Sequence, residues 1–192
     1  MKKLLVTLLG SLFLTSCGMQ SIPTAKNGVE AGWAEVQNQY KRRADLIPNL
    51  VQTVKGYASH EKDTLQAVVE ARAKATQTNI NVSNLNAANI QKFGEAQTEL
   101  SSTLARLMVV VEKYPELKAD QNFRELQSSL EGTENRITVA RNRLIQAVQL
   151  FNNLVTVPPT SWYNSLFLKH DKIPQFEVKS IQDVESAPKV EF

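Results

Sequence analysis

Apolar residues recur every three or four positions over most of this chain, and that rhythm commits it to long helices. Val29, Trp33, Val36 and Tyr40 share one helix face, and Ile47, Leu50, Val54, Tyr57, Leu65 and Val68 resume the stripe. Ile90, Phe93, Leu100, Leu104, Leu107, Val111 and Tyr114 make a second stripe in which only Gln97 is out of character. A third runs from Phe123 through Leu126, Leu130, Thr133, Ile137, Ala140, Leu144, Ala147 and Phe151 to Leu154. A helix of about 40 residues, about 60 Å long at 1.5 Å per residue, must lie along its neighbours at a shallow angle. No stretch alternates β-branched with polar residues, so no sheet is expected. The expected fold is all-α, an elongated antiparallel bundle of long helices.

Proline and asparagine punctuate the pattern. Pro48 removes one helical hydrogen bond and clashes with the preceding turn, and Asp45 could cap a new helix, so the first long helix is expected to kink near Asp45 and Pro48. The segment after the kink should end near Gln77, ahead of Asn79, Asn81, Asn84, Asn86 and Asn89. The next helix starts after Asn84 or Asn86 and reaches Lys113, and Pro115 suits the first position of the one that follows. Gly32, Gly56, Gly94 and Gly132 fall within helical stretches and are read as points of close packing rather than hinges. Pro158, Pro159, Pro174 and Pro188 make residues 157–192 an irregular tail whose scattered anchors are Trp162, Tyr163, Leu166, Phe167, Phe176 and Phe192.

The N-terminus carries a separate message. Lys2 and Lys3 precede an apolar run from Leu4 to Leu14, and the sole cysteine follows as Leu14-Thr15-Ser16-Cys17. The run is shorter than the roughly 20 residues that span a bilayer, and the arrangement looks like the lipobox of a lipoprotein precursor. On this reading residues 1–16 are a cleaved signal peptide, residues 17–26 are the lipidated Cys17 and a flexible tether containing Pro23, and 27–156 form the bundle. Multiple acyl chains, palmitate included, would hold Cys17 in the membrane. Loss of Lys2 and Lys3 takes the formal charge from +3 to +1, so the pI near 9.0 is no argument for a nucleic-acid partner. With its one cysteine acylated, the chain has no disulfide and depends on its core.

The segment Lys41-Arg42-Arg43-Ala44-Asp45-Leu46-Ile47-Pro48-Asn49-Leu50-Val51-Gln52-Thr53-Val54-Lys55-Gly56-Tyr57 strongly resembles the LemA family of bacterial envelope proteins. Tyr114-Pro115-Glu116-Leu117-Lys118-Ala119-Asp120, Glu131-Gly132-Thr133-Glu134-Asn135-Arg136-Ile137 and Ala140-Arg141 extend the match. The resemblance implies a membrane-attached helical bundle with no established enzymatic activity or cofactor. Many relatives keep an N-terminal membrane helix, whereas this chain has the pattern of a lipoprotein.

Arg43 stands on the apolar stripe, with Arg42, Asp45 and Asn49 close by in sequence. They could recognise an anion or a partner, or form an internal polar network. A lone buried charge is so costly that the network is favoured, joining Arg43, Asp45 and Asn49 to Glu134 and Arg141 across the bundle, with Asn135 and Arg136 nearby. His60-Glu61 invites a metal reading, but His170 is remote and no His-Glu-x-x-His spacing exists. No nucleophile elbow, phosphate loop or Cys–His pair is present, so no catalytic, cofactor-binding or metal residues are assigned. The expectation is a non-enzymatic, lipid-anchored scaffold or adaptor for envelope proteins. It would face the periplasm from the outer membrane where one exists, or lie on the outer face of the cytoplasmic membrane. Alternatives are a membrane-surface or membrane-shaping protein using Lys41, Arg42, Arg43 and Lys55, and an enzyme with an unrecognised site. The coiled-coil-like heptads would also serve a homo-oligomer, though bundling within one chain explains them equally well.

Overall fold

The computed structural model describes residues 2–78, 80 and 85–175, the side chains of residues 2–19 excepted. Helix α1 (Lys2–Tyr57) is followed by α2 (Lys62–Gln77), α3 (Ala87–Val111), the short α4 (Pro115–Ala119), α5 (Gln121–Thr156), α6 (Thr160–Tyr163) and a π-helical turn (Asn164–Leu168). The protein is an all-α bundle, and no strand occurs among the described residues. Asn86 caps α3 by accepting the Asn89 N–H at 2.8 Å, Pro115 opens α4, and Asp120 caps α5 by accepting the Phe123 N–H at 2.8 Å.

Helices α1 and α5 run antiparallel along their shared length. Tyr57 meets Asp120, Arg43 meets Glu134, and Gly32 packs against Leu144. Helix α2 returns along α1, placing Arg72 beside Ala44, and α3 turns back again so that Phe93 reaches Trp33 and Tyr40. The α2–α3 connection is pinned where Trp33 Nε1 and Gln37 Nε2 both donate to the Ile80 carbonyl, at 3.0 and 2.9 Å. The core forms two clusters. One gathers Ile47, Leu50, Val54, Val68, Leu107, Leu117 and Phe123, and the other gathers Ile22, Val29, Trp33, Phe93, Leu144 and Phe151.

Four expectations need correction. The new helix expected at Asp45 does not form, because α1 runs unbroken across Pro48. Proline denies the Ala44 carbonyl its helical donor, and Arg72 Nε of α2 supplies one at 2.7 Å. The real corner comes later, at Ala58–Glu61, between α1 and α2. Residues 18–26, expected as a flexible tether, lie within α1, where Ile22 is fully buried and Ala25 nearly so. Ile22, Ala25 and Val29 simply extend the stripe toward the N-terminus.

The expected irregularity of residues 157–192 gives way to α6 and the π-turn in its first part. Asn164 Nδ2 donates to the His170 carbonyl at 2.9 Å while its Oδ1 accepts the His170 N–H at 3.0 Å. Asn152 grips the backbone of Ile173 in the same way, at 2.8 and 2.9 Å. Phe176, Pro188 and Phe192 lie outside the described residues, as do the side chains of residues 2–19, Cys17 among them. Of the four helical glycines, only Gly32 is closely packed, where an added Cβ would lie 3.4 Å from Leu144. Nothing stands within 4 Å of one at Gly56, Gly94 or Gly132.

Candidate functional site

Arg43 occupies the α1 stripe between Tyr40 and Ile47, at the level where one core cluster gives way to the other. Its side chain is only 2% exposed, so a permanent positive charge is held inside a greasy seam. Nη1 donates to Glu134 Oε1 of α5 at 2.8 Å and to Ser101 Oγ of α3 at 2.9 Å. Nη2 donates to Gln97 Oε1 at 2.6 Å and to the Gln97 carbonyl at 3.3 Å. Gln97 Nε2 in turn donates to the Ala75 carbonyl of α2 at 3.2 Å. One guanidinium thus ties α1, α3 and α5 together, and α2 is joined through the amide it binds.

The Tyr40 ring lies 5.0 Å from the guanidinium carbon, a cation–π contact that adds to the enclosure. Burial raises the pKa of the Tyr40 hydroxyl above its ordinary value, while the charges of Arg141 and Arg43 pull it back; Arg141 also hydrogen-bonds the hydroxyl. Arg43 Nε is buried and finds no acceptor among the described residues. Glu134 is half-exposed, so the ion pair spans the boundary between core and solvent.

Arg43 and Glu134 therefore meet, and Arg141 joins through Tyr40. Asp45 and Asn49 do not belong to the network. At 100° per residue they point away from Arg43; Asp45 pairs with Lys41 at 2.8 Å, and Asn49 is exposed. Asn135 and Arg136 are also exposed. Gln97 and Ser101 are network members that sequence reasoning missed, although Gln97 had declared itself as the polar break in the α3 stripe. The basic face imagined for membrane shaping loses Arg43 to the core, and Lys41 is already paired.

His60 is exposed in the α1–α2 corner, and no group of three or more His, Cys, Asp or Glu able to hold a metal is gathered among the described residues. No helix among them is long and apolar enough to cross a membrane. A shallow apolar dimple lined by Trp33, Leu144, Val148 and Ile173 offers no converging charged groups. The arrangement around Arg43 can fix four helices at one level, and it can present the outer half of Glu134 to solvent.

In comparison with known proteins, the family model described as the LemA family matches residues 32–192. Among curated relatives, Protein LemA of Metamycoplasma hominis is 22% identical over 162 residues, an alignment that covers 83% of this chain and 69% of that protein.

Proposed function

Because the chain belongs to the LemA family, we propose that it is a lipid-anchored envelope protein acting without catalysis, as a helical scaffold or adaptor for other envelope proteins. The observation that carries this reading is the continuity of α1. Cys17 precedes the fully buried Ile22 on the same helix, so a membrane attachment at Cys17 would hold the bundle directly rather than through a slack linker. The outer faces of α2, α3 and α5 then stand free for partners, with Val69, Val109 and Val139 exposed along them. The Leu14-Thr15-Ser16-Cys17 pattern supports lipidation, and Gly18 after the cysteine favours the outer membrane where the cell has one.

Two experiments test the parts separately. Cys17→Ala should abolish incorporation of labelled palmitate, and undiminished labelling would exclude this cysteine as the anchor. Crosslinking in cells followed by mass spectrometry should recover a reproducible envelope protein. Recovery of lipid alone would sink the adaptor role.

A further inference from the structure

The end of the bundle beside Ile22 and Ala25 of α1 carries an apolar surface that the fold leaves uncovered. Trp162, Leu166 and Phe167 are 66%, 71% and 70% exposed, and all three come from α6 and the π-turn. They are firmly presented: the Tyr163 ring sits 5.0 Å from that of Phe167, and Asn164 locks the turn to residue 170. Their position follows from topology. Helix α5 runs antiparallel to α1, so its C-terminal end and α6 lie against the beginning of the bundle. Ile22, Ala25, Val155, Tyr163 and Leu168 accordingly share one core cluster. The exposed residues therefore lie at the end of the molecule from which α1 leads back to Cys17.

Isolated exposed apolar residues are ordinary. Three large ones on consecutive short helical turns, including a tryptophan, are the composition of a membrane-interface belt. The flanks suit the same surroundings, because Lys26, Lys169 and Lys172 are exposed, with Asp171 as the adjacent opposite charge. Lysines at that level can reach lipid phosphates while their stems cover apolar surface.

We propose that Trp162, Leu166 and Phe167 seat in the interfacial layer of the bilayer to which α1 is attached, giving the bundle a second foothold beside its anchor. The proposal rests on the reading that the chain is membrane-attached at its N-terminal end. It fixes how the bundle stands, because two contacts restrict tilt and rotation where the acylated cysteine alone would not.

The two tryptophans make the test direct, since Trp33 is fully buried and Trp162 largely exposed. The full chain, isolated from membranes of cells producing it, is reconstituted into phosphatidylcholine–phosphatidylglycerol vesicles with brominated acyl chains. Most of the Trp162 emission should be lost and should become inaccessible to iodide, while a Trp162→Phe protein should keep its Trp33 emission unquenched. Trp162 that stays insensitive to bromolipid and open to iodide would overturn the proposal. So would shielding from iodide before vesicles are added, which would mean that residues 176–192 or a second copy cover the patch. Palmitate content of the same preparation judges the anchor independently: quenched Trp162 in an unacylated chain would defeat lipidation and leave the foothold standing.

Discussion

At the scale of the residue, the two ends of the Arg43–Glu134 pair are not equivalent. Removing the carboxylate leaves a guanidinium only 2% exposed without its counter-charge, whereas removing the arginine leaves a half-exposed carboxylate that water can reach. Glu134→Ala should therefore cost about 3 kcal/mol, and Arg43→Met less, about 1–2 kcal/mol, mainly through the unsatisfied Gln97 amide. Denaturant titration of both variants checks the order, and equal costs would contradict the burial asymmetry. Asp120 offers a pH-dependent counterpart. The Phe123 N–H and then the Tyr57 hydroxyl hold its carboxyl below the ordinary value of 3.8. Its contribution is thus present above that value and lost as pH falls through the lower folded one. Asp120→Asn should flatten this part of the acid limb when stability is compared between acidic and neutral pH. Arg43 was legible in the sequence because a charge interrupted a seam. Asp45 and Asn49 misled because proximity along a helix is not proximity across it.

At the scale of the element, the uninterrupted passage of α1 through Pro48 depends on a donor from another helix. Arg72→Ala should be costly in the native chain and nearly neutral when Pro48→Ala restores the backbone N–H. The coupling in a double-mutant cycle should be about 1 kcal/mol, and additivity would break the link between them. Glycine supplies a second contrast. Gly94→Ala and Gly132→Ala should each stabilise by about 0.5–1 kcal/mol, since their surroundings are open. Gly32→Ala should gain less because Leu144 is already close, and thermal melts of the three variants would reveal the order. Helix limits marked by Asn86 and Pro115 could be read directly, since each of those side chains acts locally, whereas the Asp120 cap of α5 emerged only from the structure. The corner at Ala58–Glu61 could not, because it contains neither glycine nor proline and the stripe resumes beyond it almost in phase. The partner that rescues Pro48 is likewise remote in sequence, so no local pattern announces it.

At the scale of the whole molecule, the stretch of α1 from Ile22 to Tyr57 is about 50 Å long at 1.5 Å per residue. A bundle standing on its N-terminal end would hold the α1–α2 corner that far from the bilayer. Dyes placed through Lys26→Cys and His60→Cys should show strong and weak energy transfer, respectively, to an acceptor in the lipid. Equal transfer from both would mean that the rods lie flat. The all-α bundle was readable from periodicity because each stripe needs a facing stripe. The orientation of the final turns was not, since it depends on asparagine side chains clasping distant backbone.

Arg43 also has a consequence for how the rods can be assembled. Uniformly greasy seams tolerate slippage, but moving α1 by one turn, about 5.4 Å, would thrust the guanidinium among leucines and isoleucines and away from its acceptors. Only one vertical alignment accommodates it, as a key fits a lock at one depth, and an assembly built by exchanging helices between copies would have to rebuild the same notch.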